Sequence, residues 1–280
     1  MVIFLTGGTG FIGSHFIKSA LEVGHEVIAL RRSLNSKPKI CLDIEPQWLF
    51  KDILEVEELD FSGVDVLVHL AAHSVIYPFD TLENCLKYNV NHPLALFKVA
   101  KNAGVSRFVV AGSCFEYGTS GERYEYIPTN APLEPTSSYS TSKAMATLAF
   151  KQFAIDNQVC LSVHRLFQVF GEGEFKTRLW PSLKLAAKSG SDFPMTEGEQ
   201  VRDFIHVLDV IDNFLEMCKI ENFENSYFKI FNVGSGKPQT ILNFTKFWWH
   251  KWKAEGQLKI GDLPYRKGEI MRYVPEIGSD

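Results

Sequence analysis

The stretch Thr6-Gly7-Gly8-Thr9-Gly10-Phe11-Ile12-Gly13 decides how this chain is read. It follows the apolar run Val2-Ile3-Phe4-Leu5 and opens onto residues 11–23, where apolar side chains return at helical spacing. Glycines at 7, 10 and 13 permit a tight turn, a close approach of backbone to a pyrophosphate, and close packing of helix on strand. The first amides of a helix lack partners within it, and the dipole end there is positive, so phosphate is a natural guest. Set between a strand and a helix, the motif predicts a dinucleotide cradle made by Gly7, Gly10, Phe11, Ile12 and Gly13.

Outward from this cradle the pattern repeats. Residues 26–30, 47–50, 64–70, 106–111 and 159–167 read as buried strands bounded by breakers, and residues 81–102 and 139–156 as helices. Such alternation predicts an α/β fold, a Rossmann-type doubly wound parallel sheet with helices on both faces. From about residue 171 the segments shorten and gain Gly, Pro and aromatics, which predicts a smaller C-terminal α+β cap with helices near 180–189, 207–219 and 241–254. The expected division is residues 1–165 for the dinucleotide-binding and catalytic part and 166–280 mainly for the cap, with later segments crossing back to the sheet.

Composition narrows the class. The chain has 280 residues, 45% hydrophobic and 22% charged, which excludes a disordered or fibrous protein. Its 29 Lys+Arg against 33 Asp+Glu give a net charge of −4, arguing against a nucleic-acid binder. Cys41, Cys85, Cys114, Cys160 and Cys218 are scattered with no CxxC pair, so neither a metal site nor a disulfide framework is expected, and a reduced, cytoplasmic protein is. Met1 to Leu5 is apolar but has no basic leader, and glycines interrupt it at once, so no signal peptide is expected. No apolar run approaches the roughly 18–20 residues that span a bilayer.

The second strand ends in Leu30-Arg31-Arg32-Ser33. An NAD site usually places a carboxylate here, roughly 20 residues after the glycines, to hold the ribose hydroxyls. Two guanidiniums and a hydroxyl suit a 2′-phosphate instead, so Arg31, Arg32 and Ser33 favour NADP(H) over NAD(H). Tyr139-Ser140-Thr141-Ser142-Lys143 puts Tyr139 and Lys143 on one helix face, one turn apart. An ammonium beside a phenol lowers its pKa, and a phenol so tuned can exchange the proton of a carbinol. Ser113, at the end of the fifth strand, stands where ligands meet open α/β sheets and could polarise a carbonyl.

Together these residues resemble an extended short-chain dehydrogenase/reductase of the NAD-dependent epimerase/dehydratase type, the group that modifies nucleotide sugars. The glycine motif, His69-Leu70-Ala71-Ala72, Asn89, Ser113 and Tyr139/Lys143 come in that family's order. The likeness continues through residues 165–171, 202–207 and 231–234. It implies that Ser113, Tyr139 and Lys143 are catalytic, that Asp52 and Ile53 lie near the adenine, and that Leu70, Ala71, Ala72, Asn89, Tyr139 and Lys143 help hold the dinucleotide. It also implies a homodimer paired through helices 81–102 and 139–156.

Departures refine the expectation. Relatives that dehydrate carry adjacent Asp and Glu after the Ser/Thr, whereas Cys114 and Phe115 stand here, with Glu116 displaced by one. Gln168 replaces a common Asn. Residues 195–203 resemble those of 4-ketoreductases acting on CDP- or dTDP-6-deoxyhexoses, so the resemblance implies NADPH-dependent reduction of a 4-keto-6-deoxy nucleotide sugar. The alternatives are a nucleotide-sugar 4-epimerase and a non-catalytic dinucleotide sensor. Substrate contacts are expected from His73, Ser113, Cys114, Glu116, Gln168, Arg178, Arg202 and Arg272, with Arg202 first for the pyrophosphate. Relatives generally continue into a further C-terminal helix, so a reduced cap is expected. In the aromatic segment 244–252, core packing of the cap is the expectation because positions 244, 248 and 252 share a face; Trp249 falls off that face, and a partner surface or weak membrane contact there is the lesser alternative.

Overall fold

The computed structural model describes residues 1–220, 226–266 and 268–278. The chain opens with β1 (Val2–Thr6), α1 (Phe11–Glu22), β2 (Glu26–Leu30) and β3 (Gln47–Leu49), then returns to β4 (Val66–His69). Two helices follow, α2 (Leu82–Leu86) and α3 (His92–Asn102), then β5 (Arg107–Ser113), α4 (Ser138–Asn157), β6 (Cys160–Leu166) and β7 (Gln168–Phe170). The remainder is α5 (Leu179–Ser189), β8 (Phe193–Met195), β9 (Val201–His206), α6 (Val207–Met217), β10 (Phe228–Val233), β11 (Pro238–Thr240), α7 (Ile241–Lys251), β12 (Leu258–Ile260) and β13 (Arg272–Tyr273).

Seven strands form one sheet in the order β10-β6-β5-β4-β1-β2-β3, every neighbouring pair parallel. The chain steps outward from β1 through β2 to β3, then crosses to the other side of β1 for β4. Strand order therefore reverses at β1, and the crevice beyond the carboxyl ends of β1 and β4 is where such sheets bind ligands. Alternation along β1 builds two core layers. Ile3 and Leu5 pack with Phe16, Ile17, Val210 and Phe214 beneath α1 and α6, while Phe4 packs with Phe97, Phe108 and Phe150 beneath α3 and α4.

Two later segments belong to this sheet rather than to the cap. Helix α6 packs on α1, and β10 extends the sheet beyond β6. What stands over the crevice is smaller. Strand β9 pairs with β11, β13 and β7, while β8 pairs with β12. Helices α5 and α7 close over a cluster of Leu183, Ala187 and Trp249. No helix among the described residues is long and apolar enough to cross a membrane.

One sequence expectation needs correction here. The helix expected over 81–102 is interrupted by a π-helical turn at Lys87–Asn91 between α2 and α3. Pro93 has no N–H to offer the Asn89 carbonyl four residues back, so the ladder is re-registered there. Trp249, although off the 244/248/252 face, packs in the cap as well: it is 9% exposed, and its indole Nε1 donates to the Gly256 carbonyl at 3.2 Å. The exposed aromatic of that helix is Phe247.

Candidate active site

A cleft of about 510 Å³ runs from the glycine turn, past the ends of β4 and β5, to the start of α5. Its floor is the cradle. Gly7 has φ +78°, and a Cβ there would lie 2.6 Å from the Ala71 amide nitrogen. At Gly13 the added carbon would lie 2.1 Å from the Gly7 carbonyl oxygen. Both contacts are far inside van der Waals range, so only glycine lets α1, the turn and the β4 end approach this closely. Gly10 caps α1 without a side-chain bond, and no acid occupies its first turn, so those amides are left for an anionic guest. A dinucleotide fits this cradle. Gly7, Gly10, Phe11, Ile12 and Gly13 would meet its phosphates, and Leu70, Ala71 and Ala72 line the groove beside them.

Asp52, Ile53, Arg31 and Arg32 line the same cleft. Arg31 is partly spoken for: Nε donates to the Ser33 carbonyl at 3.1 Å, Nη2 to the Leu34 carbonyl at 2.6 Å, and the guanidinium lies 5.0 Å from the Trp48 ring centre. Arg32 is exposed. Ser33 does not line the cleft, because its hydroxyl and carbonyl serve the local turn. Asn89 also stands behind the wall. Its Oδ1 accepts the His73 amide at 2.7 Å, and its Nδ2 donates to Ser142 Oγ at 2.9 Å. It braces the turn after β4 instead of touching the cleft.

Ser113 and Tyr139 meet at the cleft's inner end. Ser113 ends β5, where Gly112 gives the backbone room, and Tyr139 lies in the first turn of α4, whose start is fixed by a Ser137/Ser140 capping box. The Tyr139 ring stacks on Phe79, centroids 5.7 Å apart. Burial raises the phenol pKa, and a hydrogen bond from Ser113 partly offsets this. The expected lowering by Lys143 is not found. Lys143 is buried, outside the cleft lining, and its Nζ donates to the Ala111 carbonyl at 2.6 Å. Burial lowers the pKa of that ammonium, with Glu116 opposing the shift.

The expected substrate residues separate into two sets. His73, Cys114, Gln168 and Arg178 line the cleft. His73 is paired with Asp80 at 2.7 Å, and burial pushes the Cys114 thiol up to about 12, so it is inert as a nucleophile. Glu116 is corrected: it is wholly buried, with Oε1 accepting the Ser113 amide at 2.8 Å and Oε2 accepting Thr147 Oγ1 at 2.8 Å and Arg165 Nε at 2.9 Å. It holds Ser113 from behind and cannot reach a sugar. Arg202 and Arg272 are not in the lining either. Arg202 donates to the Ile270 carbonyl at 2.6 Å and pairs with Glu269, while Arg272 donates to the Glu125 carbonyl at 2.8 Å. Both fasten the β13 segment onto its neighbours.

Several lining residues escaped the sequence reading: Lys39, Val75, Ile76, Phe115, Glu174 and Phe175. The Gly171–Gly173 turn was a usable signal for Glu174, since Gly171 lies at φ +152° and Gly173 at +83°. Such a turn at a strand end, before a helix, re-aims the next side chains toward the crevice.

With this geometry in place, the comparisons fall into line. Residues 3–234 match the family model described as "NAD dependent epimerase/dehydratase family". The chain belongs to that family. It is similar to a UDP-glucose 4-epimerase of Erwinia amylovora, 28% identical over 308 residues, covering 98% of this chain and 89% of the relative. It is also similar to a CDP-abequose synthase of Salmonella muenchen, 26% identical over 272 residues, with 96% and 87% covered. Among solved structures, an NAD-dependent NDP-hexosamine 5,6-dehydratase of tunicamycin biosynthesis superposes with a TM-score of 0.80 at 29% identity, covering 98% of this chain and 88% of that one. A UDP-N-acetylglucosamine 4-epimerase from Methanobrevibacter ruminantium reaches 0.86 at 23% identity, covering 98% and 89%, and so speaks to the fold alone. This family member is an extended short-chain dehydrogenase/reductase built on a Rossmann-like sheet.

Proposed function

We propose that this family member binds NADP(H) and reduces the 4-keto group of a 6-deoxy nucleotide sugar. The observation that carries the reading is the placement of Ser113 and Tyr139 in one cleft with the glycine cradle, backed by Lys143. When bound, the nicotinamide would supply the hydride. Ser113 Oγ is placed to donate to a ketone oxygen, and Tyr139, largely buried at the cleft's inner end, to deliver the carbinol proton. Lys143, bonded to the Ala111 carbonyl, ties the helix that carries Tyr139 to the end of β5. Glu116 fixes the Ser113 amide and is unavailable for elimination chemistry, which speaks against dehydration.

Preference for the phosphorylated dinucleotide rests on Arg31 and Arg32 in the cleft lining at the end of β2, where a ribose-holding carboxylate would otherwise stand. The likeness to a CDP-abequose synthase supports a CDP-linked sugar among the candidate ligands. The likeness to UDP-glucose 4-epimerases favours a second reading, a 4-epimerase that keeps its nicotinamide through an oxidation–reduction cycle. A panel of CDP-, dTDP- and UDP-linked 4-keto-6-deoxyhexoses and the parent hexoses separates the two. A reductase consumes one NADPH per product; interconversion without net loss of reduced cofactor selects the epimerase. Tyr139→Phe should abolish turnover while dinucleotide binding persists, and an indifferent variant would sink both readings. Leu82, Tyr88, Met145 and Leu148 are exposed on α2, the π turn and α4, which supports pairing of these helices in a twofold dimer, testable by light-scattering mass.

A further inference from the structure

Glu174 is unlike the other acids of the cleft. Its side chain is 8% exposed, and its Oε2 is buried with no hydrogen-bond partner among the described residues. The other oxygen, Oε1, meets Arg178 Nε at 3.4 Å, a long contact. A buried carboxylate with half its acceptors empty is costly, and the Arg178 guanidinium four residues on and the Gly171 amide offset only part of that cost. Arg178 is also open to an incoming anion at this end of the cleft. Its side chain is 39% exposed and lines the cleft, and it is the N-cap of the eleven-residue α5, whose first turn has no side-chain cap and no acid.

We propose that Glu174 is a positioning residue for Arg178 that takes up one proton when a diphosphate binds that guanidinium. The inference rests on the reading of this cleft as a site for diphosphate-bearing ligands. In the free chain Glu174 shares Arg178. A diphosphate at Arg178 and the α5 amides brings negative charge alongside and turns the guanidinium away, so the carboxylate is left uncompensated in an apolar wall. Protonating it removes the conflict, and the proton comes from solvent. Burial already holds this carboxyl at about 7, with Arg178 and the Gly171 amide opposing the shift, so the added charge acts in the physiological range.

Few other charges can answer in its place. From α1, His15 Nε2 donates to the Glu172 carbonyl, and from the end of β9, His206 lies beside Gly171; burial lowers the pKa of both imidazoles. From the loop after β2, Lys39 stacks on Phe175, and from α5, Lys184 is paired with Glu172.

Calorimetric titration in two buffers of different ionisation enthalpy tests this. The probes are NADPH on the free protein, and CDP-, UDP- and dTDP-glucose on the NADPH-saturated protein. These sugar nucleotides carry no phosphate that titrates in the window used. Wild type should take up close to one proton with one of the two ligand classes at about pH 8, and its Kd should rise up to about tenfold per pH unit above pH 7. The class that does so identifies whose diphosphate Arg178 holds. Glu174→Gln should bind with no proton uptake and a flat pH profile, and at about pH 8 more tightly than wild type. Arg178→Met should lose affinity and uptake together, with an unchanged melting temperature confirming the fold. Binding without uptake in wild type, or an unchanged pH slope in Glu174→Gln, overturns the proposal. So does a uniform loss of affinity in Glu174→Gln at every pH, which would mark a purely structural brace. If wild type binds neither ligand class, the underlying reading of the cleft falls as well.

Discussion

Replacing Glu116 with Gln should unfold much of what holds Ser113 in place. Glu116 is 0% and Arg165 1% exposed, and they meet at 2.9 Å. Arg165 also donates to the Thr129 carbonyl at 2.9 Å, and its guanidinium lies 4.5 Å from the Tyr117 ring centre. Burial pulls the Arg165 pKa down, but Glu116 and Tyr117 more than reverse this, so the guanidinium stays charged. Glu116→Gln keeps the shape and one acceptor for the Ser113 amide, yet strands that charge. Breaking a buried pair on one side costs about 3–5 kcal/mol. At roughly 2–4 °C per kcal/mol for a chain near this size, the melting temperature should fall by roughly 6–20 °C.

Urea denaturation of Glu116→Gln, Arg165→Met and the double variant measures this directly. Each single change leaves one charge uncompensated, while the double leaves none, so the double should recover at least about 2 kcal/mol relative to the sum of the singles. A Glu116→Gln cost below about 1 kcal/mol, or strictly additive singles, would refute the buried-pair account. The older expectation, that Glu116 meets sugar hydroxyls, makes the opposite forecast: stability unchanged and substrate affinity lost. One experiment therefore separates the two roles.

Three further outcomes follow from the geometry. Gly13→Ala puts a carbon 2.1 Å from the Gly7 carbonyl and should weaken NADPH binding in a fluorescence titration; Gly24→Ala, at φ +82° with open space around it, should cost about 1–2 kcal/mol of stability but no affinity. Because Arg31 is bound to carbonyls and stacked on Trp48, Arg32→Ala should raise the NADPH Kd about tenfold or more and the NADH Kd little; equal effects would mean that neither arginine reads a 2′-phosphate. Glu174 is raised from 4.5 to about 7, so the folded chain holds its proton to higher pH than the unfolded one. Its contribution is therefore destabilising above pH 4.5, growing until pH 7, by at most about 3 kcal/mol. Glu174→Gln should accordingly match wild type in denaturation at about pH 4 and exceed it at about pH 8; a constant gap would contradict this.

What the sequence disclosed, and what it concealed, follows from the range of the interactions involved. The cradle, the strands and the Ser113–Tyr139 pair are legible because they depend on local spacing: a glycine turn, a two-residue strand period, a helical turn of four. Glu116 was misread although a local signal was present. Ser113-Cys114-Phe115-Glu116 is a capping box, and the box turns the glutamate back onto the Ser113 amide instead of outward. Arg202 and Arg272 were misread for a different reason. Their partners, Glu269 and Glu125, are 67 and 147 residues away, and no spacing rule reaches them. The adjoining Asp203 has a similar long-range duty, accepting the Ser235 and Gly236 amides at 2.6 and 2.8 Å. Part of the resemblance around residues 202–207 thus reports how the cap is fastened to the turn after β10.

The same distinction resolves an apparent conflict in the charge. A chain of net charge −4 is a poor candidate to gather diphosphates if its field is averaged. The cleft is not average: among the described residues Arg31, Arg32, Lys39 and Arg178 line it against only Asp52 and Glu174 as carboxylates. Asp52 is engaged in capping the short turn before Glu55, which leaves Glu174 as the acid nearest the anion's path at the cap end. If that carboxylate stayed charged on binding, it would oppose the very group that Arg178 attracts. A proton taken up there turns the opposing charge off only when the ligand is present, while in the free chain the same charge keeps Arg178 from being an unpaired cation against the cap. Local bookkeeping of this kind, and not the overall balance of the sequence, sets whether the cleft holds a diphosphate and at what pH it lets go.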